Sequence, residues 1–209
     1  MLQKTYFNIM KKLIFRTFLA FFGLCTLLSS CRNKDSHEDE QEVITTLRLT
    51  FTKTNATGTP IVGVSPIVAT WKDADGTGPN APNVDNIALS ANSFYTIELT
   101  VLNELANPAQ DITAEIRNEG TKHQFFFQKS AGLTSLGNIQ YADQDTAGKP
   151  IGLTTKIATT AMAGTGTLKI ILRHDLNKNG ANVSTGDITN AGGETDIETT
   201  PAFNLTINI

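Results

Sequence analysis

Three histidines, His37, His123 and His174, are the side chains of this chain best suited to exchanging protons near neutral pH. His123 opens the aromatic run His123-Gln124-Phe125-Phe126-Phe127-Gln128, His174 closes the run Leu168-Lys169-Ile170-Ile171-Leu172-Arg173, and His37 sits among acidic residues. No Ser-His-Asp spacing and no paired carboxylates accompany them locally. The sequence therefore reads His123 and His174 as structural residues at strand ends and predicts no enzyme. Oxygen-ligand chemistry has a clearer pattern. Asp175-Leu176-Asn177-Lys178-Asn179-Gly180 places Asp175, Asn177 and Asn179 at alternate positions before a glycine, as the opening of a calcium loop does. The match then stops: Gly186 stands where a bidentate Glu is needed, Asp187 follows one residue late, and Lys178 puts a positive charge inside the loop. Asp, Asn and Gly are also the ordinary residues of turns, because they tolerate left-handed backbone and bond their own main chain. Calcium is the one cofactor this pattern admits, and otherwise none is expected.

Two connections are long enough to carry function. Residues 182–201 hold Asp187, Glu194, Asp196 and Glu198 around Gly192-Gly193, and residues 73–83 hold Asp73 and Asp75 among Gly, Pro and Asn. Asp73, Asp75, Asp187, Glu194 and Asp196 are the candidates for a ligand-facing rim. Trp71 could stack on a sugar, but its phase with Ile67 and Ala69 assigns it to a core.

The elements that must position these residues read as strands. Val43, Thr45, Leu47, Leu49 and Phe51 alternate with polar neighbours, as do Ile67, Ala69 and Trp71, then Tyr95, Ile97, Leu99 and Val101, and finally Phe203, Leu205, Ile207 and Ile209. Shorter strands are expected at Ile87 and Leu89, at Ile139 and Tyr141, across Ile151, Leu153 and Ile157, and at Leu168, Ile170 and Leu172. The run at 123–128 has the aromatic density of a strand buried on both faces. One short helix is expected near 111–119, capped by Asp111 and ended by Gly120 in a left-handed turn. There is no strand–helix–strand rhythm. The expectation is an all-β fold, an immunoglobulin-like antiparallel β-sandwich over residues 43–209 with that one helix.

The amino terminus carries an address. Lys4, Lys11, Lys12 and Arg16 precede an apolar run over 13–28, too short and too interrupted for a comfortable membrane span, and Leu28-Ser29-Ser30 ends it before Cys31. Residues 1–30 thus read as a secretory signal and residues 31–42, rich in acid, as a solvated tether. Leu28-Ser29-Ser30-Cys31 resembles the lipobox of bacterial lipoproteins, which implies cleavage before Cys31 and acylation of its thiol; Cys25 competes poorly because bulky Leu24 precedes it. Cleavage removes four cations and no acid, so the mature chain is more acidic than the net charge of −3 of the whole sequence. Nucleic acid is excluded as a partner on that charge. The one cysteine left is used by lipid, so neither disulfide nor cysteine chemistry remains.

Lys34-Asp35 and Glu38-Asp39-Glu40 are similar to the acidic export tags of Bacteroidota surface lipoproteins. Four further segments resemble small lipoproteins of that group: Glu42-Val43-Ile44-Thr45-Thr46-Leu47; Trp71-Lys72-Asp73-Ala74-Asp75-Gly76; Asp111-Ile112-Thr113-Ala114-Glu115-Ile116 with the His123 run; and Gly192-Gly193-Glu194-Thr195-Asp196-Ile197. The resemblance implies an outer-membrane address, facing the surface or the periplasm, but brings no activity and no site residues. The functional expectation is a lipid-anchored binding or structural module that meets a glycan, peptide or protein through its loops. The alternatives are a periplasmic solute-binding component, which requires an enclosed apolar pocket, and a hydrolase, which requires His123 or His174 beside a carboxylate in a cleft.

Overall fold

The computed structural model describes residues 42–209; Cys31, the signal segment and the tether before Glu42 lie outside the described residues. Two sheets pack face to face. The first contains β1 (Thr46–Thr54), β2 (Ile67–Lys72), β3 (Asn83–Val84), β5 (Phe94–Asn103), β6 (Gln110–Asp111), β8 (Gln140–Tyr141) and β9 (Thr154–Ala158), in the order β3-β2-β1-β5-β9-β8 with β6 added on β5. The second contains β4 (Ile87–Ser90), β7 (His123–Lys129), β10 (Gly164–His174), β11 (Glu194–Glu198) and β12 (Phe203–Asn208). The expected all-β sandwich is what the chain forms. One pairing departs from the antiparallel pattern: β12 lies parallel to β4, with Leu205 opposite Ile87.

Alternation explains the packing. Leu47, Leu49 and Phe51 of β1 and Tyr95, Ile97 and Leu99 of β5 point inward from the first sheet. They meet Leu168, Ile170 and Leu172 of β10 and Phe203, Leu205 and Ile207 of β12 in one continuous core. Trp71 belongs to it, as its phase requires. Strand β7 is buried on both faces because Phe125 joins this core. Phe126, one residue on, joins a second cluster with Ile171, Leu176, Val183 and Ala191. Residues 182–201 are therefore not the single long connection that the sequence suggests. Two single-turn 3-10 helices, Val183–Thr185 and Ile188–Asn190, fold this segment onto the outer face of the second sheet, and Glu194–Glu198 is a strand.

Strand β10 organises the second sheet. Its Leu168–His174 half pairs with β7 on one side; on the other it meets β12 through Leu168 and β11 from Ile171 onward. His174 therefore lies between His123 of β7 and Glu194 of β11. The register slips between Leu172, which faces Ile197, and Arg173, which faces Thr195. Asp196 is the extra residue of this β-bulge, and a bulge re-aims a side chain. Gly193 makes the approach possible: its φ is +69°, and a Cβ there would lie 2.1 Å from the His174 carbonyl oxygen.

The helix α1 (Thr113–Asn118) falls where expected, but its caps differ. Ile112 is the N-cap, without a side-chain hydrogen bond, while Asp111 Oδ1 accepts from the Thr113 amide at 2.9 Å. The helix ends at Glu119, and Gly120 is not left-handed; it is small because a Cβ would meet Ile151 Cδ1 at 2.6 Å.

Burial decides which truncations matter. Leu205→Ala, at a fully buried position of β12, should cost about 2–5 kcal/mol in urea unfolding, whereas Val62→Ala, at a site 97% exposed, should change stability by less than about 0.5 kcal/mol.

Candidate functional site

The most concentrated chemistry lies at the end of the sandwich where β7 begins, β10 ends and the chain enters β1. Each element delivers one side chain. Strand pairing sets His123 opposite His174, the bulge turns Asp196 inward, and the segment leading into β1 brings Glu42 across from the first sheet. His123 Nε2 lies 2.9 Å from Glu42 Oε1, 3.1 Å from His174 Nδ1 and 3.6 Å from Asp196 Oδ2. His174 Nδ1 lies 3.5 Å from Glu42 Oε2 and 3.7 Å from Asp196 Oδ2. One ligand atom from each of the four residues fits within 4.8 Å of all the others. All four side chains are nearly closed to solvent, with relative exposures of 0% for His123, 9% for His174, 8% for Glu42 and 1% for Asp196.

The electrostatics follow from this crowding. Burial acts against the charged form of Glu42, but the hydrogen bond and positive charge of His123 outweigh it and hold the carboxyl down at about 2. Burial first, and then the negative charge of Glu42, push Asp196 up to about 8. For His123, burial opposes protonation, yet the bond to Glu42 and its charge raise the imidazole above its ordinary value. Two carboxyls so close cannot both ionise without a cation between them; Asp196 holds the proton that Glu42 gives up. Among the described residues these four are the histidine-and-carboxylate group whose geometry can hold a metal ion.

Sequence reasoning placed Asp196 on a loop and Glu42 in the tether. The structure puts Asp196 in β11 with a buried carboxylate and turns Glu42 onto the histidine pair. The histidines are at strand ends as expected, but the site they share was missed. The available signal was that His123 and His174 end two strands that both begin or finish beside a polar segment.

Of the other rim candidates, Asp75 and Asp187 make local side-chain hydrogen bonds. Asp75 Oδ2 accepts from both nitrogens of Asn80, and the Asn80 amide foremost keeps the Asp75 carboxyl below its usual value. Asp187 Oδ1 accepts from the Thr189 amide as the N-cap of the second 3-10 helix. Glu194 is exposed, paired in register with His174. Asp73 follows β2, its amide donating to the carbonyl of Thr45, the residue before β1. Asp175, Asn177 and Asn179 are exposed; Asp175 Oδ2 is 3.5 Å from His174 Nε2, and Asn177 Oδ1 accepts from the Asn179 amide. Lys178 of that loop turns its ammonium away from these three, into a buried position where it donates to Asp145 Oδ2 and the Pro150 carbonyl, each at 2.9 Å, and to the Gly120 carbonyl.

No protein-family profile matches this chain, and neither a curated protein nor a solved structure is detectably similar to it.

The pH dependence of the metal-free protein follows from the signs. The folded state keeps the Asp196 proton that the unfolded chain, at an ordinary 3.8, has released, so stability falls as pH rises toward about 8. The His123 contribution is present below 6.5 and is also lost as pH rises through its elevated value. Glu42 works oppositely: its contribution is present above 4.5 and is lost as pH falls toward about 2. Asp196→Asn removes the alkaline penalty while keeping the shape. With a chelator present, its stability relative to wild type should rise steadily from about pH 4, where the Asp196 penalty is absent, to about pH 8, by at least about 1–3 kcal/mol in all, as measured by urea midpoints.

Proposed function

We propose that this chain is a lipid-anchored lipoprotein of a bacterial outer membrane whose β-sandwich acts as a binding or structural module rather than an enzyme. The observation that carries this reading is the succession along the chain: a signal-like start, Leu28-Ser29-Ser30-Cys31, an acidic spacer, and then a sandwich that begins at once. Acyl chains on Cys31 would bury about 0.8 kcal/mol per CH₂ and hold the sandwich at a membrane surface. Among the described residues no helix is long and apolar enough to cross a membrane, so in this reading attachment depends on the cysteine.

Two features favour a module over a hydrolase. His123 and His174 do stand beside carboxylates, but their near-complete burial leaves a substrate little access. Recognition has better places to work. A groove of about 360 Å³ runs beside Phe94, which is 43% exposed, with Asn138, Gln140 and Lys156 along it. An aromatic face flanked by amides and an ammonium suits a glycan or a peptide. This groove is open to solvent and not an enclosed apolar pocket, which weighs against the solute-binding alternative.

The full chain made in a Gram-negative host should sediment with membranes, and mass spectrometry should show the mature protein beginning at an acylated Cys31. Cys31→Ser should move most of the protein to the soluble fraction with its thermal midpoint unchanged. A mature chain that starts elsewhere, or an unmodified Cys31, contradicts the proposal.

A further inference from the structure

We infer that Glu42, His123, His174 and Asp196 form a closed centre for one divalent transition-metal ion, and that zinc is the ion the donor set fits best. The inference stands apart from the envelope reading, since it rests on side-chain geometry alone. Two imidazoles and two carboxylates are borderline-hard donors of the kind that zinc takes in four-coordinate sites. Bonds of 2.0–2.2 Å in a tetrahedron place ligand atoms about 3.3–3.6 Å apart. Around His123 Nε2 and His174 Nδ1 the separations to each other, to Asp196 Oδ2 and to one or other Glu42 oxygen run from 2.9 to 3.7 Å, and one atom from each of the four residues fits within 4.8 Å of all the others.

Asp196 is the second, independent observation. Its side chain is 1% exposed, it points into the cluster, and neither carboxylate oxygen accepts a hydrogen bond from a protein N–H or O–H. Ionised, a buried carboxylate without donors is costly: the metal-free corner avoids that by keeping a proton on Asp196, and a divalent cation would satisfy the group in its ionised form.

His123 gives a third. Its Nδ1 lies 3.2 Å from the Glu119 carbonyl oxygen, which can only accept, so Nδ1 carries the hydrogen. The Nε2 lone pair of the neutral ring is thereby aimed at the centre, the orientation that backbone carbonyls give to metal-ligating histidines. That lone pair faces Glu42 Oε1 at 2.9 Å, acceptor against acceptor, unless a cation or an extra proton lies between them. Two ionised carboxylates and two neutral imidazoles around a divalent ion leave no net charge in a dry site.

Four protein ligands with little solvent access make a structural centre, not one with an open position for substrate. Three ligands belong to the second sheet and Glu42 to the segment entering the first. The ion would therefore clasp the two sheets together where the chain leaves for its amino-terminal segment.

The test uses the full-length chain, purified in detergent and stripped with a chelator. Calorimetric titration with zinc chloride should give one ion per chain with Kd below about 1 μM, and saturating zinc should raise the thermal midpoint. Asp196→Asn and His174→Ala should each weaken binding by at least about tenfold, while Asp187→Asn binds like wild type. A variant that fails to fold would show a collapsed midpoint in chelator. Cobalt titration of the wild-type chain needs no variant: the intense visible absorption of four-coordinate cobalt should appear and be abolished by one equivalent of zinc. Absence of zinc binding overturns the inference, as does weak multi-site binding that Asp196→Asn leaves unaltered, or a cobalt spectrum without the four-coordinate bands.

Discussion

A dry corner that holds two carboxyls and two imidazoles must contain positive charge, and the local architecture of this sandwich is arranged around that requirement. A desolvated carboxylate is among the most expensive groups a fold can bury. Here the chain buries two beside each other. Several otherwise unconnected features converge on the same place: the bulge in β11, the left-handed Gly193 that lets β11 approach the His174 carbonyl, and the Glu119 carbonyl that fixes the His123 ring. Each would be an irregularity in an ordinary sheet. Together they set Asp196 and the two histidines around the place that Glu42 enters.

The Lys178 site shows how the same fold meets the same requirement when it supplies the cation itself. Its ammonium is buried, which opposes protonation, but it sits against the Asp145 carboxylate and two backbone carbonyls. Asp145 is in turn held below its usual value, burial notwithstanding, by that ammonium and by backbone amides. Charge is neutralised within the site, and the lysine ties the segment after β10 to the turns at Gly120 and Pro150. The histidine corner lacks such a built-in partner. With protons alone it is balanced by leaving Asp196 uncharged and His123 charged, an arrangement that depends on pH. The two sites lie at successive stretches of chain, His174 and Lys178, and together they stake down the end of β10.

Most of the sandwich was legible because its strands obey period-two alternation: Leu47 to Phe51, Tyr95 to Val101 and Phe203 to Ile207 each bury the face their spacing marks. The double burial of β7 was legible in its three consecutive phenylalanines. What escaped was the part where alternation fails for a reason. Strand β11, Glu194-Thr195-Asp196-Ile197-Glu198, carries a single apolar residue, and its bulge puts Asp196 and Ile197 successively inward, so no pattern betrays it. The cover over Phe126 and Ile171 was hidden by the Asn and Gly content of 177–193, whose buried Leu176, Val183 and Ala191 are too widely spaced to show a period. Asp111 has the residue type and spacing of a helix cap, yet the N-cap is Ile112, and the Asp111 carboxylate accepts from the first helical amide, that of Thr113. The four-residue centre could not be read from the sequence, since its members lie 81, 51 and 22 positions apart and only the register of β7, β10 and β11 brings them together.

A centre at this position would link the two ends of the molecule's proposed role. Glu42 is the first residue of the described body, and the acidic spacer to Cys31 lies immediately before it. Fixing Glu42 to the second sheet would hold the entry to β1 against the ends of β7 and β10. The most direct test is anomalous X-ray diffraction from crystals of the zinc-treated protein, with data above and below the zinc absorption edge. The account predicts one edge-dependent peak within bonding distance of Glu42, His123 Nε2, His174 Nδ1 and Asp196. A corner that shows no such peak, with Asp196 hydrogen-bonded to Glu42 instead, would contradict it.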